Sequence, residues 1–124
     1  MLIGVDLVDI NRIQKAIERT PRFLERVFTP AEREYCLCKT NPYPSLAVRF
    51  AAKEAVRKLG KEYSKGIRFH DIEIKNDEEG RPYILLHGLA WQRSQENRIT
   101  MDVSLSHSRN QAIATVIATR GVFK

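Results

Sequence analysis

The densest chemistry in the chain lies between Arg49 and Lys58, in the run Arg-Phe-Ala-Ala-Lys-Glu-Ala-Val-Arg-Lys. Glu54 stands there among Arg49, Lys53, Arg57 and Lys58. A carboxylate offers hard oxygen to a divalent cation, and neighbouring basic side chains absorb the charge of a polyphosphate. A second acidic group is available in Gly4-Val5-Asp6-Leu7-Val8-Asp9-Ile10. Asp6 falls where an extended segment gives way to a helix, a place from which a side chain can face a cleft. Asp6 and Glu54, with water and phosphate oxygens, would complete an octahedral Mg²⁺ shell. Plainer readings stay open at both places. Glu54 and Lys58, four residues apart, can simply decorate a helix surface, and Asp6 and Asp9 can favour the start of the next helix through its dipole.

These groups need a frame. Val48, Ala52, Ala55 and Leu59 form an apolar stripe that predicts a helix from Ser45 to Leu59, with Ser45 as N-cap and Gly60 as stop. Arg49, Lys53, Arg57, Glu54 and Lys58 then fall on its polar side. The apolar, β-rich run Leu2 to Ile10 predicts a strand, followed by a helix over Asn11 to Arg19 that turns Ile10, Ile13 and Ile17 to the core. The other face of that helix carries Arg12, Lys15, Arg19 and, beyond it, Arg22, a basic stripe that is either a docking surface or a solvated face. Pro21 interrupts or restarts the helix and Phe23 follows. Thr29-Pro30-Ala31-Glu32 has the pattern of a capping box, opening a helix to about Lys39 that the Asn41-Pro42-Tyr43-Pro44 break ends. Gly60 to Gly66 reads as a lysine-bearing loop.

The second half changes character. Phe69 to Lys75 and Pro82 to His87 read as strands joined by an Asn76-to-Gly80 turn, and Leu89 to Gln95 as a short helix. Thr100 to His107 alternates, with Met101, Val103 and Leu105 on one face, and Gln111 to Thr119 reads as a further strand. Helices followed by an antiparallel meander predict an α+β fold, N-terminal helices packed on an antiparallel β-sheet, in one domain over 1–124.

Composition narrows the function classes. Hydrophobic residues make up 43% of the 124, enough for a core, and the net charge of +6 points to an acidic partner. No apolar run approaches the roughly 20 residues of a membrane span and no signal peptide is visible, so a cytoplasmic protein is expected. Cys36 and Cys38 would point about 200° apart on a helix, which suits reduced structural thiols rather than zinc. His70, His87 and His107 match no metal spacing. His107, with Ser106, Ser108 and Arg109 at a strand end, has the donors to hold a phosphate. No phosphate loop, dinucleotide fingerprint or RNA-module signature is present, so nucleic-acid binding rests on charge alone. The rival to an enzyme is a basic module binding RNA or an acidic protein, which would leave Asp6 and Glu54 unused.

Taken in order, Gly4 to Ile10, Phe28-Thr29-Pro30-Ala31-Glu32, Arg49-Phe50-Ala51-Ala52-Lys53-Glu54-Ala55, Gly80-Arg81-Pro82 and Val103-Ser104-Leu105-Ser106-His107 resemble the holo-acyl-carrier-protein synthases, the small bacterial branch of the 4′-phosphopantetheinyl transferases. The resemblance implies transfer of phosphopantetheine from coenzyme A to a serine of apo acyl carrier protein, releasing adenosine 3′,5′-bisphosphate, in fatty acid biosynthesis. It implies Mg²⁺ bound by Asp6 and Glu54, with Lys58 catalytic beside them. It also implies coenzyme A held by Arg49, Lys53, Lys58, Ser106 and His107, carrier docking on Arg12, Arg19, Arg22 and Phe23, and a trimer. No membrane or nucleic acid enters that scheme. Residues 60–66 depart from the usual Gly-Thr-Gly turn of such proteins, and Asp9 stands where many have Glu.

Overall fold

The structure, a computed structural model, describes residues 1–121. Its centre is helix α4, Tyr43–Arg57, in which Leu46, Ala47, Val48, Ala51, Ala52, Ala55 and Val56 are all buried. A helix apolar on so many sides belongs inside the protein, and its alanines let neighbouring backbones approach closely. Beyond the first turn, the stripe left partly open to solvent runs through Phe50, Glu54 and Arg57 to the cap residue Lys58.

One wall against α4 is a three-stranded antiparallel sheet in the order β1-β5-β4, built from β1 (Leu2–Asp9), β4 (Ile99–His107) and β5 (Gln111–Arg120). Strand alternation sends Gly4 and Asp6 of β1 inward, together with Ala112, Ala114, Val116 and Ala118 of β5. Small residues there allow the helix to lie close. Gly4 marks the tightest point, since a Cβ at that position would stand 2.0 Å from the Ala55 carbonyl oxygen. The same alternation leaves Ile3, Val5, Leu7, Ile113 and Ile117 exposed on the outer face.

The other flank of α4 meets helix α3 (Pro30–Leu37) and a separate two-stranded ribbon of β2 (Ile72–Asn76) and β3 (Pro82–Leu86). Helices α1 (Ile10–Arg19) and α2 (Phe23–Val27) cover the amino-terminal half of α4, and α5 (Gly88–Glu96) connects the ribbon to β4. Capping by Thr29 and Glu32 is realised in both directions, with Glu32 N donating to the Thr29 hydroxyl at 3.2 Å and Thr29 N to Glu32 Oε1 at 2.9 Å.

Glu32 has a second task. Its carboxylate meets the fully buried Lys53 ammonium at 2.8 Å and accepts from Ile74 N at 2.8 Å, tying α3, α4 and β2 together. Lys53 also donates to the carbonyls of Phe69 (3.0 Å) and Ile72 (2.5 Å), so each of its three protons has an acceptor. Burial pushes its pKa down, against the opposing pull of Glu32.

The α+β class and the order of elements follow the sequence expectation, with three local differences. The second half is not one meander, because β1 pairs along the far side of β5 while β2 and β3 form their own ribbon. Ser45 is not an N-cap: α4 begins at Tyr43, with Pro44 in the first turn, where its missing N–H costs nothing. The segment from Phe69 opens as a 3₁₀ turn, Phe69–Asp71, before β2 begins. Of the two readings left open at Pro21 the helix restarts, as α2, after Arg22, whose φ of 65° turns the chain sharply.

Lys53→Met keeps the aliphatic stem but strands the Glu32 charge in the interior. Equilibrium urea unfolding is expected to show a loss of about 3–5 kcal/mol, and a loss below about 1 kcal/mol would mean that the pair carries little structural weight.

Candidate active site

Five elements supply one cleft of about 450 Å³, lined by Asp6, Leu7, Val8 and Asp9 of β1, Arg12, Ile13 and Ala16 of α1, Phe23 of α2, Phe50 and Glu54 of α4, and Gln111 of β5. The contact of Gly4 with α4 brings β1 and the helix together, and Asp6, two residues along the same strand face, then meets the open stripe of α4. Glu54 senses Asp6, whose charge helps to raise its pKa. An aromatic wall stands alongside: Phe23, Phe50 and Phe69 follow one another with ring centroids 6.2 and 5.9 Å apart.

The two carboxylates are differently engaged. Asp6 Oδ1 accepts from Lys58 Nζ at 2.8 Å, and the same ammonium donates to the Val5 carbonyl at 3.1 Å. Glu54 Oε2 lies 3.3 Å from Arg57 Nε, an ion pair without hydrogen-bond alignment. Burial raises the Glu54 pKa; Arg57 opposes that, Asp6 adds to it and Lys58 opposes it. Asp6 Oδ2 and Glu54 Oε2 are buried with no hydrogen-bond partner among the described residues. Buried acceptors left unpaired are costly and call for an explanation. Two hard oxygens of this kind suit a divalent cation that fills its remaining positions with water and phosphate oxygen. Among the described residues no group of three or more His, Cys, Asp or Glu offers a fuller set.

Of the residues singled out in the sequence, Asp6, Glu54, Lys58, Arg12 and Phe23 come together at this cleft or its edge. Arg19 and Arg22 lie exposed further along the same basic side, Arg22 beside Glu25 at 3.9 Å. Arg49 and Lys53 require correction as coenzyme A ligands. They sit on the α3–β2 side of α4, Lys53 fully buried against Glu32 and Arg49 3% exposed, bonded to the Ser45 carbonyl and Asn76 and stacked over Tyr35. On the helical wheel Lys53 is about 100° away from Glu54, so one polar side could not hold them all. Ser106 and His107 are not brought to the carboxylate pair within the chain. β4 is separated from β1 by β5, and the alternation of β4 puts Ser106 on the outer sheet face.

Asp9 occupies the cap position of α1 without a side-chain cap bond, where its charge still favours the helix dipole, whereas Asp6 faces Lys58. His70 and His87 are structural, meeting the Glu25 carbonyl at 2.6 Å and Glu73 at 2.9 Å. Cys36 is buried and Cys38 exposed, both free. Sequence reasoning passed over Phe50, one turn before Glu54 on the open stripe, and Gly4. The apolar-to-aromatic change at Phe50 within an alanine-rich helix was the available signal.

The sequence model of the 4′-phosphopantetheinyl transferase superfamily matches residues 2–116. The chain is 45% identical to the holo-[acyl-carrier-protein] synthase of Halothermothrix orenii over 122 residues, 96% of this chain and 97% of that protein. It is 49% identical to the corresponding synthase of Desulforudis audaxviator over 119 residues, covering 94% and 90%. Its fold superimposes on the ACPS–CoA complex of Chronobacterium ammoniagenes with a TM-score of 0.85 at 28% identity, covering 98% of each chain. For the Helicobacter pylori holo-[acyl-carrier-protein] synthase in complex with coenzyme A the TM-score is 0.78 at 34% identity, covering 95% and 100%. The chain belongs to the 4′-phosphopantetheinyl transferase superfamily. Within it, the similarity is to the holo-[acyl-carrier-protein] synthases.

A carboxylate held partly desolvated beside a second acid is maintained against stability. Glu54→Gln should therefore raise the thermal midpoint of the free protein by a few degrees at neutral pH; an unchanged or lower midpoint would show that its ion pair with Arg57 outweighs the desolvation.

Proposed function

We propose that this chain is a holo-[acyl-carrier-protein] synthase, transferring 4′-phosphopantetheine from coenzyme A to a serine of an apo acyl carrier protein in fatty acid biosynthesis. The observation that carries the reading is the meeting of Asp6 and Glu54 in one cleft, each with a buried oxygen that lacks a hydrogen bond, in a chain of this superfamily. Asp6 and Glu54 would hold Mg²⁺, which when bound neutralises diphosphate charge.

The chain's own groups supply the rest. The serine oxygen attacks the β-phosphorus of coenzyme A, an O–P bond forms, and the bridging P–O bond to adenosine 3′,5′-bisphosphate breaks. Lys58 reaches the site on a flexible stem with its side chain 56% exposed, which suits an ammonium that follows the leaving phosphate and donates to it. Glu54 takes the serine proton through an intervening water, so that the carboxylate need not meet the hydroxyl directly. Arg12 and Phe23 at the cleft mouth, with Arg19 and Arg22 beyond, form a basic face with an aromatic anchor for an acidic carrier.

A homotrimer accounts for two further features. Ile3, Val5, Leu7, Ile113 and Ile117 leave an apolar patch uncovered on the outer sheet face, larger in kind than isolated surface residues. Ser106 shares that face, so a neighbouring subunit seated there could bring it, with His107, to the coenzyme of another chain.

Incubation with coenzyme A, Mg²⁺ and apo carrier, followed by mass spectrometry of the carrier, should show the gain of one phosphopantetheine. Asp6→Ala and Glu54→Ala should lose at least about a hundredfold in rate while keeping the fold; near-normal transfer by both would reject the carboxylate assignment. Val5→Lys should convert the trimer to monomer in light scattering, and a trimer that persists would put the interface elsewhere.

A further inference from the structure

The two cations beside the carboxylate pair are held in opposite ways. Lys58 is exposed, and only its ammonium is held, by Asp6 Oδ1 and the Val5 carbonyl. Arg57 is pinned: Nη1 donates to the Ile67 carbonyl at 3.0 Å and reaches the Ser64 carbonyl at 3.5 Å, and Cζ lies 5.3 Å over the Phe69 ring. Its Nε faces Glu54 Oε2 at 3.3 Å, the oxygen that lacks a hydrogen bond. Nη2 makes no hydrogen bond among the described residues, and the side chain stays 30% exposed. Arg57 lies outside the motifs that carry the family resemblance. It fixes the chain's own 60–67 loop, the segment that departs from the usual pattern, to the helix that carries Glu54.

An immobile positive charge at that place acts with opposite sign on two ligands. It repels a divalent cation approaching Glu54, and it attracts a diphosphate approaching the same spot. A pinned guanidinium cannot swing away as Lys58 can, so both effects persist in the substrate-free protein. We propose, on the strength of the transferase reading above, that Arg57 is a positioning residue that disfavours cation loading of the empty site and favours capture of the diphosphate. Metal and coenzyme A then enter together, each completing the charge balance the other needs. A guanidinium that merely braced the loop would behave differently, because its removal would weaken both ligands.

The test measures Mn²⁺ binding to the substrate-free protein by electron paramagnetic resonance, and coenzyme A binding without metal by calorimetry. Arg57→Ala should bind Mn²⁺ about tenfold more tightly and coenzyme A about tenfold more weakly, while Arg57→Lys, which keeps the charge but loses the pinning, should shift both in the same senses by less than Arg57→Ala does. The proposal is overturned if the two affinities of Arg57→Ala move in the same direction, or if neither moves, in protein whose circular dichroism is native. Should Arg57→Ala fail to fold, Arg57→Gln removes the charge while keeping an amide that can reach the Ile67 carbonyl, and the same opposite shifts are required of it. Failure of the underlying carboxylate reading shows separately: Asp6→Ala would then bind Mn²⁺ as the parent does, whatever the Arg57 variants show.

Discussion

The approach of β1 to α4 at Gly4 is the constraint on which the site depends. A Cβ there would stand 2.0 Å from the Ala55 carbonyl oxygen, so strand and helix are in backbone contact with no side chain between them. Any larger residue would have to push the two elements apart, and interiors packed at this density do not absorb such a change locally. The carboxylates stand on either side of that contact, Asp6 two residues beyond Gly4 and Glu54 next to Ala55. Separation of the elements would therefore widen the gap between the acids. Lys58 reports the same closeness, bridging the Val5 carbonyl and Asp6 from the end of the helix.

Around this contact, α4 is asymmetric in a way that divides structural charge from functional charge. On one side Lys53 and Arg49 are taken out of water and spent on the fold: Lys53 is saturated by Glu32 and two carbonyls, and Arg49 is held by the Ser45 carbonyl, Asn76 and the Tyr35 ring, with its Nε buried and without a hydrogen bond. On the other, Glu54, Arg57 and Lys58 remain partly solvated. Breaking a buried pair leaves an uncompensated charge, whereas partly exposed groups can exchange partners with a ligand. Only the second side can bind and release.

That division explains how much the sequence disclosed. The helices, the strands and the capping box at Thr29 were legible because their signals are local: apolar period, Pro at the first turn, hydroxyl and carboxylate three residues apart. Asp6 and Glu54 were legible through the motifs around them. The sides of α4 were not, because a lysine reads as exposed until its partner is known, and the partner, Glu32, is supplied by a different helix. The pairing of β1 with β5 was equally hidden, since it joins the two ends of the chain and no local pattern encodes it. Gly4 could have been noticed as a glycine inside a strand-forming run, where it signals close backbone approach.

The outer face of the sheet carries the argument beyond one chain. Its alternation places Val5 and Leu7 on the reverse of the strand that presents Asp6, so the strand that builds the cleft also builds the uncovered apolar surface. Whatever covers Val5 and Leu7 restrains β1 and, through it, the position of Asp6 against Glu54. A partner on that face would thus stabilise the geometry of the carboxylate pair as well as bury apolar area, and binding to the folded form alone would raise the stability of both. An oligomer built on this face would be coupled to site formation through a single strand, because in a β-strand successive residues must serve opposite faces.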